Sequence, residues 1–298
     1  MARVRVLDDQ ERADHLRLFF DERLSLGSLP YPEDKRTVWL PHDPANPIPV
    51  GIDDQGQVVS LRVLGHGALL GGNPGSGKSN GLRVLLAGLA RSRNIEVIGI
   101  DPKQAELVLW RDRLSELVLG HEPEPTLDLL ERLLAEIHER AIFLSTTGGA
   151  TLPPSERHPA IVLVVDEWAE LGAAGSSKER QRIDTTLRRV ISLGRAVGCT
   201  ALLATQRPTG DTIDVGTRSL LAHRFALRCG DRYQADAILG VGSYDPTQLL
   251  DAAPGRALWS DGGPARAVQL FHVPDEIVPE LVHSVLQPTG CIWRNSLA

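Results

Sequence analysis

Residues 68–90 read ALLGGNPGSGKSNGLRVLLAGLA: a short apolar run, a glycine-rich loop and the opening of a helical pattern. The loop satisfies G-x-x-x-x-G-K-[ST] through Gly72, Asn73, Pro74, Gly75, Ser76, Gly77, Lys78 and Ser79. A strand before it and a helix after it are the setting in which that spacing works as a P-loop. Glycines let successive backbone N–H groups point inward around a phosphate chain, at a helix N-terminus whose dipole also favours anions. Nucleotide contacts are expected from Gly72 through Asn80, with Lys78 reaching the β and γ phosphates and Ser79 a ligand of Mg2+.

A second stretch supplies the companion such a loop needs. IVLVVDEW, residues 161–168, is an apolar strand ending in Asp166 and Glu167. Asp166 at the tip suits the water shell of Mg2+, and Glu167 suits the polarisation of the water that attacks the γ phosphate. Loop and acid pair together predict a nucleoside triphosphatase that uses ATP with Mg2+. A small-molecule kinase is disfavoured, because a glutamate that activates water would waste the nucleotide. Two other strand tips carry polar triplets: Asp101-Pro102-Lys103 after IEVIGI, and Gln206-Arg207-Pro208 after TALLAT. Ligands gather at the carboxyl ends of strands in open α/β sheets, and Gln206 is well placed to sense the γ phosphate. Either triplet by itself reads equally well as a structural turn.

Working outward, short aliphatic runs alternate with helical patterns: ALLGG from 68, a helix from Lys78, IEVIGI from 95, a helix from Thr126 to Ser145, AIVLVV from 160, then TALLAT and RFALRC. Hydrophobicity within each run is continuous, so both faces of each strand are expected to be buried, as in a mostly parallel sheet with helices on both sides. The fold class is α/β, doubly wound. RALWS and ARAVQLF read as further strands, and residues 274–286 as a closing helix. Ahead of this domain, residues 8–27 read as an amphipathic helix carrying Leu16, Phe19, Phe20 and Leu24 and stopped by Gly27. The proline-bearing stretch from Pro30 to Pro49 reads as an extended connector. A boundary near residue 50 therefore separates an amino-terminal arm, 1–49, from the nucleotide-binding domain, 50–298.

The 298 residues are 42% apolar, enough for a substantial core, and the net charge of -6 argues against a broadly basic surface. Cys199, Cys229 and Cys291 lie far apart and form no CxxC pair, so neither a zinc ribbon nor a disulfide framework is indicated and a reducing cytoplasm fits. The charged opening MARVRVLDDQERADHL lacks the apolar centre of a signal peptide, and VLLAGLA and AIVLVV are too short to span a bilayer. Of 32 basic residues only Lys35, Lys78, Lys103 and Lys178 are lysine. A compact ammonium and a planar guanidinium bind oxyanions differently, which singles out Lys78 and Lys103.

Four segments in order, IDPKQAEL, VVDEWAEL, LGRAVGCTALLATQRPT and RFALRCGDRYQADAILG, resemble the motor domain of the FtsK/SpoIIIE family of DNA translocases across residues 50–287. The resemblance implies a RecA-like fold, a homohexameric ring, and ATP hydrolysis that drives double-stranded DNA through a central channel. Arg195, in LGRAVG, matches the family's arginine finger, which reaches a neighbour's ATP; Arg188 and Arg189 on the same helix are its rivals. Arg180, Arg182, Arg188 and Arg189 form a basic helix whose simplest reading is a solvated face. Where family members often carry a threonine-rich lead into GSGKS, this sequence has Asn73-Pro74. It shows neither the membrane-spanning amino-terminal region nor the carboxyl-terminal winged-helix module of chromosome-partitioning members, so directional DNA reading is not expected of it. The compact, arginine-rich form most resembles the transfer proteins of actinobacterial conjugative plasmids, cytoplasmic and associated with the membrane through partner proteins. Type VII secretion ATPases share these motifs but usually string several such domains on one membrane-anchored chain. A nucleotide-gated adaptor without turnover is disfavoured by Glu167.

Overall fold

Every residue of the run Ala160–Val165 is buried, yet successive side chains enter different layers. Ile161, Leu163 and Val165 join Leu69 and Ile98 on one side of the sheet, whereas Ala160, Val162 and Val164 join Leu70 and Val97 on the other. Side chains alternate with a period of two, so a strand covered on both faces reads as an unbroken apolar run.

The computed structural model describes residues 46–283 apart from 91, 211, 243–248, 250 and 251. The expected helix of residues 8–27, most of the connector and Cys291 lie outside the described residues. The strands are β1 (Ile48–Asp53), β2 (Val58–Leu61), β3 (Ala68–Gly71), β4 (Ile95–Asp101), β5 (Glu116–Leu119), β6 (Ala160–Val165), β7 (Cys199–Thr205), β8 (His223–Ala226), β9 (Arg256–Ser260) and β10 (Arg266–Leu270). They form one sheet in the order β2-β1-β10-β9-β8-β3-β7-β6-β4-β5. From β8 to β5 all pairings are parallel; from β8 back to β2 all are antiparallel.

The helices are α1 (Lys78–Ala90), α2 (Pro123–Thr147), α3 (Ser177–Gly194), α4 (Val215–Leu220), α5 (Arg232–Leu239) and α6 (Val278–His283). One face of the sheet is covered by α1, α6 and the 3-10 turn Leu107–Arg113, through Leu82, Leu85, Leu89, Leu281 and Trp110. The other is covered by α2, α3 and α5, through Leu130, Leu133, Ile137, Ile183, Leu187 and Ile238. Local chemistry sets the helix ends. Pro123 opens α2, and Gly148, at φ 75°, closes it by donating its N–H to Leu144 O. Ser176 and Glu179 form a capping box at the start of α3. The guanidinium of Arg140, 3% exposed, donates to Glu136 Oε1 at 2.7 Å and to Pro159 O at 2.7 Å, so α2 is tied to the chain entering β6.

Three strands were not foreseen. Ile48 and Pro49, read above as connector, already belong to β1, which pairs with β10 and β2. The register of β1 slips between Pro49 and Gly51, as a proline with no N–H to donate requires. β2 is a strand of four residues with exposed Val58 and Ser60, and β5 is equally short, so neither offers a run long enough to read. The closing helix begins as a 3-10 turn, Asp275–Ile277, before α6; residues beyond 283 lie outside the described residues.

Candidate active site

Strand register brings four tips to one crest. Gly71 stands opposite Thr205 and Ala226, while Val165 stands opposite Leu203 and Ile100. The glycine-rich loop, Asp166-Glu167, Gln206 and Asp101-Pro102-Lys103 therefore leave the sheet at its carboxyl edge, with β7 seated between β3 and β6.

The loop is pinned by its neighbours. Gly72 N–H donates to Thr205 O at 3.2 Å, Asn73 N–H to Arg228 O at 2.9 Å, and Gly255 N–H to Ser76 O at 2.9 Å. Gly75 and Gly77 adopt φ of 74° and 95°, and a Cβ on Gly77 would stand 2.4 Å from Gly255 N, so this turn requires glycine. The first bond of α1 runs from Gly81 N–H to Gly77 O at 2.9 Å. The N–H groups of Lys78, Ser79 and Asn80 precede it and are the unsatisfied donors of a helix start, the kind that bind anions. Asn80's side chain is committed elsewhere. Its Nδ2 donates to Phe271 O at 2.7 Å and its Oδ1 accepts from Val273 N–H at 2.8 Å, so a contact from Asn80 to nucleotide falls to its backbone.

Lys78, 3% exposed, donates its ammonium to both Asp166 O and Asp166 Oδ1 at 2.7 Å. Loop and acid pair, 88 residues apart in sequence, are thus in direct contact. Glu167, with its side chain 1% exposed, accepts from Thr205 Oγ1 at 2.7 Å, from Gln206 N–H at 2.9 and 3.0 Å, and from Lys103 Nζ at 2.9 Å. Lys103 also donates to Gln206 Oε1 at 3.1 Å. Its position follows from Asp101, whose Oδ2 accepts the backbone N–H groups of Ala105, Glu106 and Leu107 at 3.0, 3.1 and 2.9 Å. Next along, Glu106 pairs with Arg83 of α1; burial pushes its carboxyl up, against the pull of that guanidinium.

Arg195 is not at this crest. It lies at the start of the 3-10 turn Arg195–Val197, exposed, just before β7. It lines a cleft of about 560 Å³ with Arg62, His66, Leu152 and Pro154. The seven residues of β7 rise about 3.3 Å each, so about 23 Å of strand separates Arg195 from Gln206 and from its own chain's loop. Of its rivals, Arg188 is engaged with Asp214 at 2.9 Å, and on the same helix Arg182 binds Glu131 at 2.7 Å. Two groups escaped the sequence reading: the hydroxyl of Thr205, inside a strand-like run, and Arg228, whose Nη2 reaches Pro74 O at 3.4 Å over the loop. Neither belongs to a spaced motif. Among the described residues no helix is long and apolar enough to cross a membrane.

The chain's residues 33–154 match the FtsK/SpoIIIE family. It is 34% identical over 217 residues to a sporulation regulatory protein of Streptomyces azureus, covering 70% of this chain and 68% of that one. It is 34% identical over 248 residues to the transfer protein TraSA of Streptomyces ambofaciens, covering 74% and 59%, and 26% identical over 288 residues to the DNA translocase FtsK of Sporosarcina ureae, covering 89% and 35%. The chain thus spans about a third of FtsK and under two thirds of TraSA. In fold it is similar to the conjugation coupling protein TcpA of pCW3, solved with ATPγS, at TM-score 0.69 and 21% identity over 86% of this chain and 75% of that one. It is also similar to the cytoplasmic domain of the Thermomonospora curvata type VII secretion ATPase EccC, at TM-score 0.65 and 24% identity over 89% and 34%. With its loop, acid pair and polar strand tips joined on one crest, the chain is a P-loop ATPase domain and belongs to the FtsK/SpoIIIE family.

Proposed function

We propose that this chain hydrolyses ATP to move double-stranded DNA, in conjugative transfer or DNA segregation, with each active site shared between neighbouring subunits of a homohexameric ring. The contact between Lys78 and the Asp166-Glu167 pair, on a crest that exposes helix-start amides, is the observation that carries the hydrolytic part. Amides of the Gly72–Gly77 loop and of Ser79 and Asn80 surround the phosphates, and Lys78 moves from Asp166 to the β and γ phosphates. The hydroxyl of Ser79 and the carboxylate of Asp166 are hard oxygen donors of the kind Mg2+ takes, and both stand beside the glycine cradle. Mg2+, when bound, neutralises charge on the β and γ phosphates. Glu167 accepts a proton from the attacking water, and Gln206 reports on the γ phosphate. Arg195 cannot reach its own loop, so its role is to stabilise the transition state in a neighbour's site.

The likeness to proteins named DNA translocase and transfer protein supports DNA as the polymer. The fold of EccC supports a second reading, a protein-secretion ATPase. ATPase rate measured against added double-stranded DNA at two salt concentrations separates them. A DNA motor is stimulated by DNA, and the stimulation falls steeply with salt because phosphate contacts release counterions. A rate indifferent to DNA at both salts, but raised by a secretion-signal peptide, refutes the DNA reading.

A further inference from the structure

The cleft beside Arg195 is walled by three segments that are remote in sequence. Arg62 and His66 stand between β2 and β3, Leu152 and Pro154 on the chain leaving α2, and Arg195 on the turn before β7. Gly65 N–H donates to Thr200 Oγ1 at 3.0 Å, Leu152 N–H to Ala196 O at 2.8 Å, and Ala222 N–H to His66 O at 2.9 Å. His223 Nε2 donates to Arg62 O at 3.2 Å. These bonds tie the walls to each other and to the amino ends of β7 and β8, so the backbone under both arginines is held in place.

The residues that line this cleft include no carboxylate. Elsewhere Arg83, Arg132, Arg140, Arg182 and Arg188 each meet one. Arg62 and Arg195 are both exposed, and neither is ion-paired among the described residues. Two guanidiniums lining one hollow repel each other, a cost that a polyvalent anion removes. The planar fork of arginine matches the oxygens of phosphate, and two forks can hold one phosphate chain from two sides.

We propose that Arg62 acts beside Arg195 as a second guanidinium on the phosphates of ATP bound to a neighbouring copy, and that the cleft receives that copy's crest. The inference rests on the shared site proposed above and deepens it by naming a further residue there. Position selects the occupant. Arg62 precedes β3 and Arg195 precedes β7, whereas their own chain's glycine-rich loop and Gln206 follow those strands, so the cleft lies at the amino edge of the parallel strands and the crest at the carboxyl edge. In a head-to-tail ring the two faces that meet are different ones, which lets the cleft of one copy take the crest of the next.

The test is phosphate release from Arg62→Ala, alone and after subunit exchange with Lys78→Ala or with Arg195→Ala. Arg62→Ala alone loses about tenfold or more in turnover, the worth of one hydrogen bond to a charged group. Exchange with Lys78→Ala raises the rate to about a quarter of the parent, because about one interface in four then joins an intact loop to an intact pair of arginines. Exchange with Arg195→Ala gives only the mean of the two variants, since every interface still lacks one of the two guanidiniums. A role of Arg62 within its own chain, structural or at its own loop, reverses these two results and overturns the proposal. Parental hydrolysis by Arg62→Ala overturns it too, and weakened binding of double-stranded DNA in that variant would assign the cleft to DNA phosphates instead. If Arg62→Ala loses its thermal unfolding transition, Arg62→Gln takes its place. Mixed rings of Arg195→Ala and Lys78→Ala that show no rescue sink the shared site and this proposal with it; rescue there beside a failed Arg62 outcome sinks the Arg62 assignment alone.

Discussion

Mixing Arg195→Ala subunits with Lys78→Ala subunits restores hydrolysis that neither has alone. The expectation rests on the proposed shared site: the length of β7 sets Arg195 about 23 Å from its own phosphate loop, which under that proposal leaves its guanidinium to a neighbour's loop. An arginine finger is worth about 10³-fold or more in turnover, so Arg195→Ala alone retains on the order of 0.1% of the parental rate. Lys78→Ala loses its rate through loss of nucleotide binding. In a head-to-tail ring each interface joins one loop to one Arg195. Under random equimolar mixing, an Arg195→Ala subunit donates an intact loop to a Lys78→Ala neighbour's intact arginine at about one interface in four, whatever the ring size. The assay is phosphate release after subunit exchange, with energy transfer between labelled variants as proof that mixed rings form. About a quarter of the parental rate is expected. Mixed rings whose rate is only the sum of the two variants refute the shared site, as does an Arg195→Ala protein that hydrolyses ATP normally without mixing.

Further outcomes test other parts of the structure. Gly77→Ala forces a Cβ against Gly255 N at a φ of 95°, so nucleotide binding measured by fluorescence titration is lost, with a lowered unfolding midpoint. Arg140→Met removes the guanidinium that joins Glu136, Pro159 O and Val197 O, and urea unfolding should show a loss of about 3–5 kcal/mol with catalysis intact per folded molecule; a loss under about 1 kcal/mol discounts the network. Burial pushes the thiols of Cys199 and Cys229 up to about 12, so at pH 8 both stay protonated and resist iodoacetamide in the native protein but react after unfolding, read by peptide mass. Rapid native labelling of either refutes its burial.

Much of the site was legible before any coordinates. Gly72–Ser79 and Asp166-Glu167 are local patterns whose chemistry is fixed by spacing, and the runs at 95, 160 and 199 declare buried strands because a sheet covered on both faces leaves no polar alternation. Short or proline-bearing strands stayed hidden. β1 pairs with β10, far along the chain, while β2 and β5 are four-residue strands at the two ends of the sheet, so their own residues carry a weak signal.

The chain order of its residues determined that this protein has a phosphate loop on a helix start, an acid pair on a strand tip and an α/β core, since each leaves a pattern readable within a few consecutive residues. Only the tertiary structure decided that Lys78 meets Asp166, that Lys103 occupies Glu167, that Asn80 turns its side chain to residues 271–273, and that Arg195 stands at the far edge of the sheet. Those facts follow from strand order and register. Pairing β7 between β3 and β6 fixes which tips become neighbours, and that order is set by the packing of the whole sheet rather than by any one of its strands.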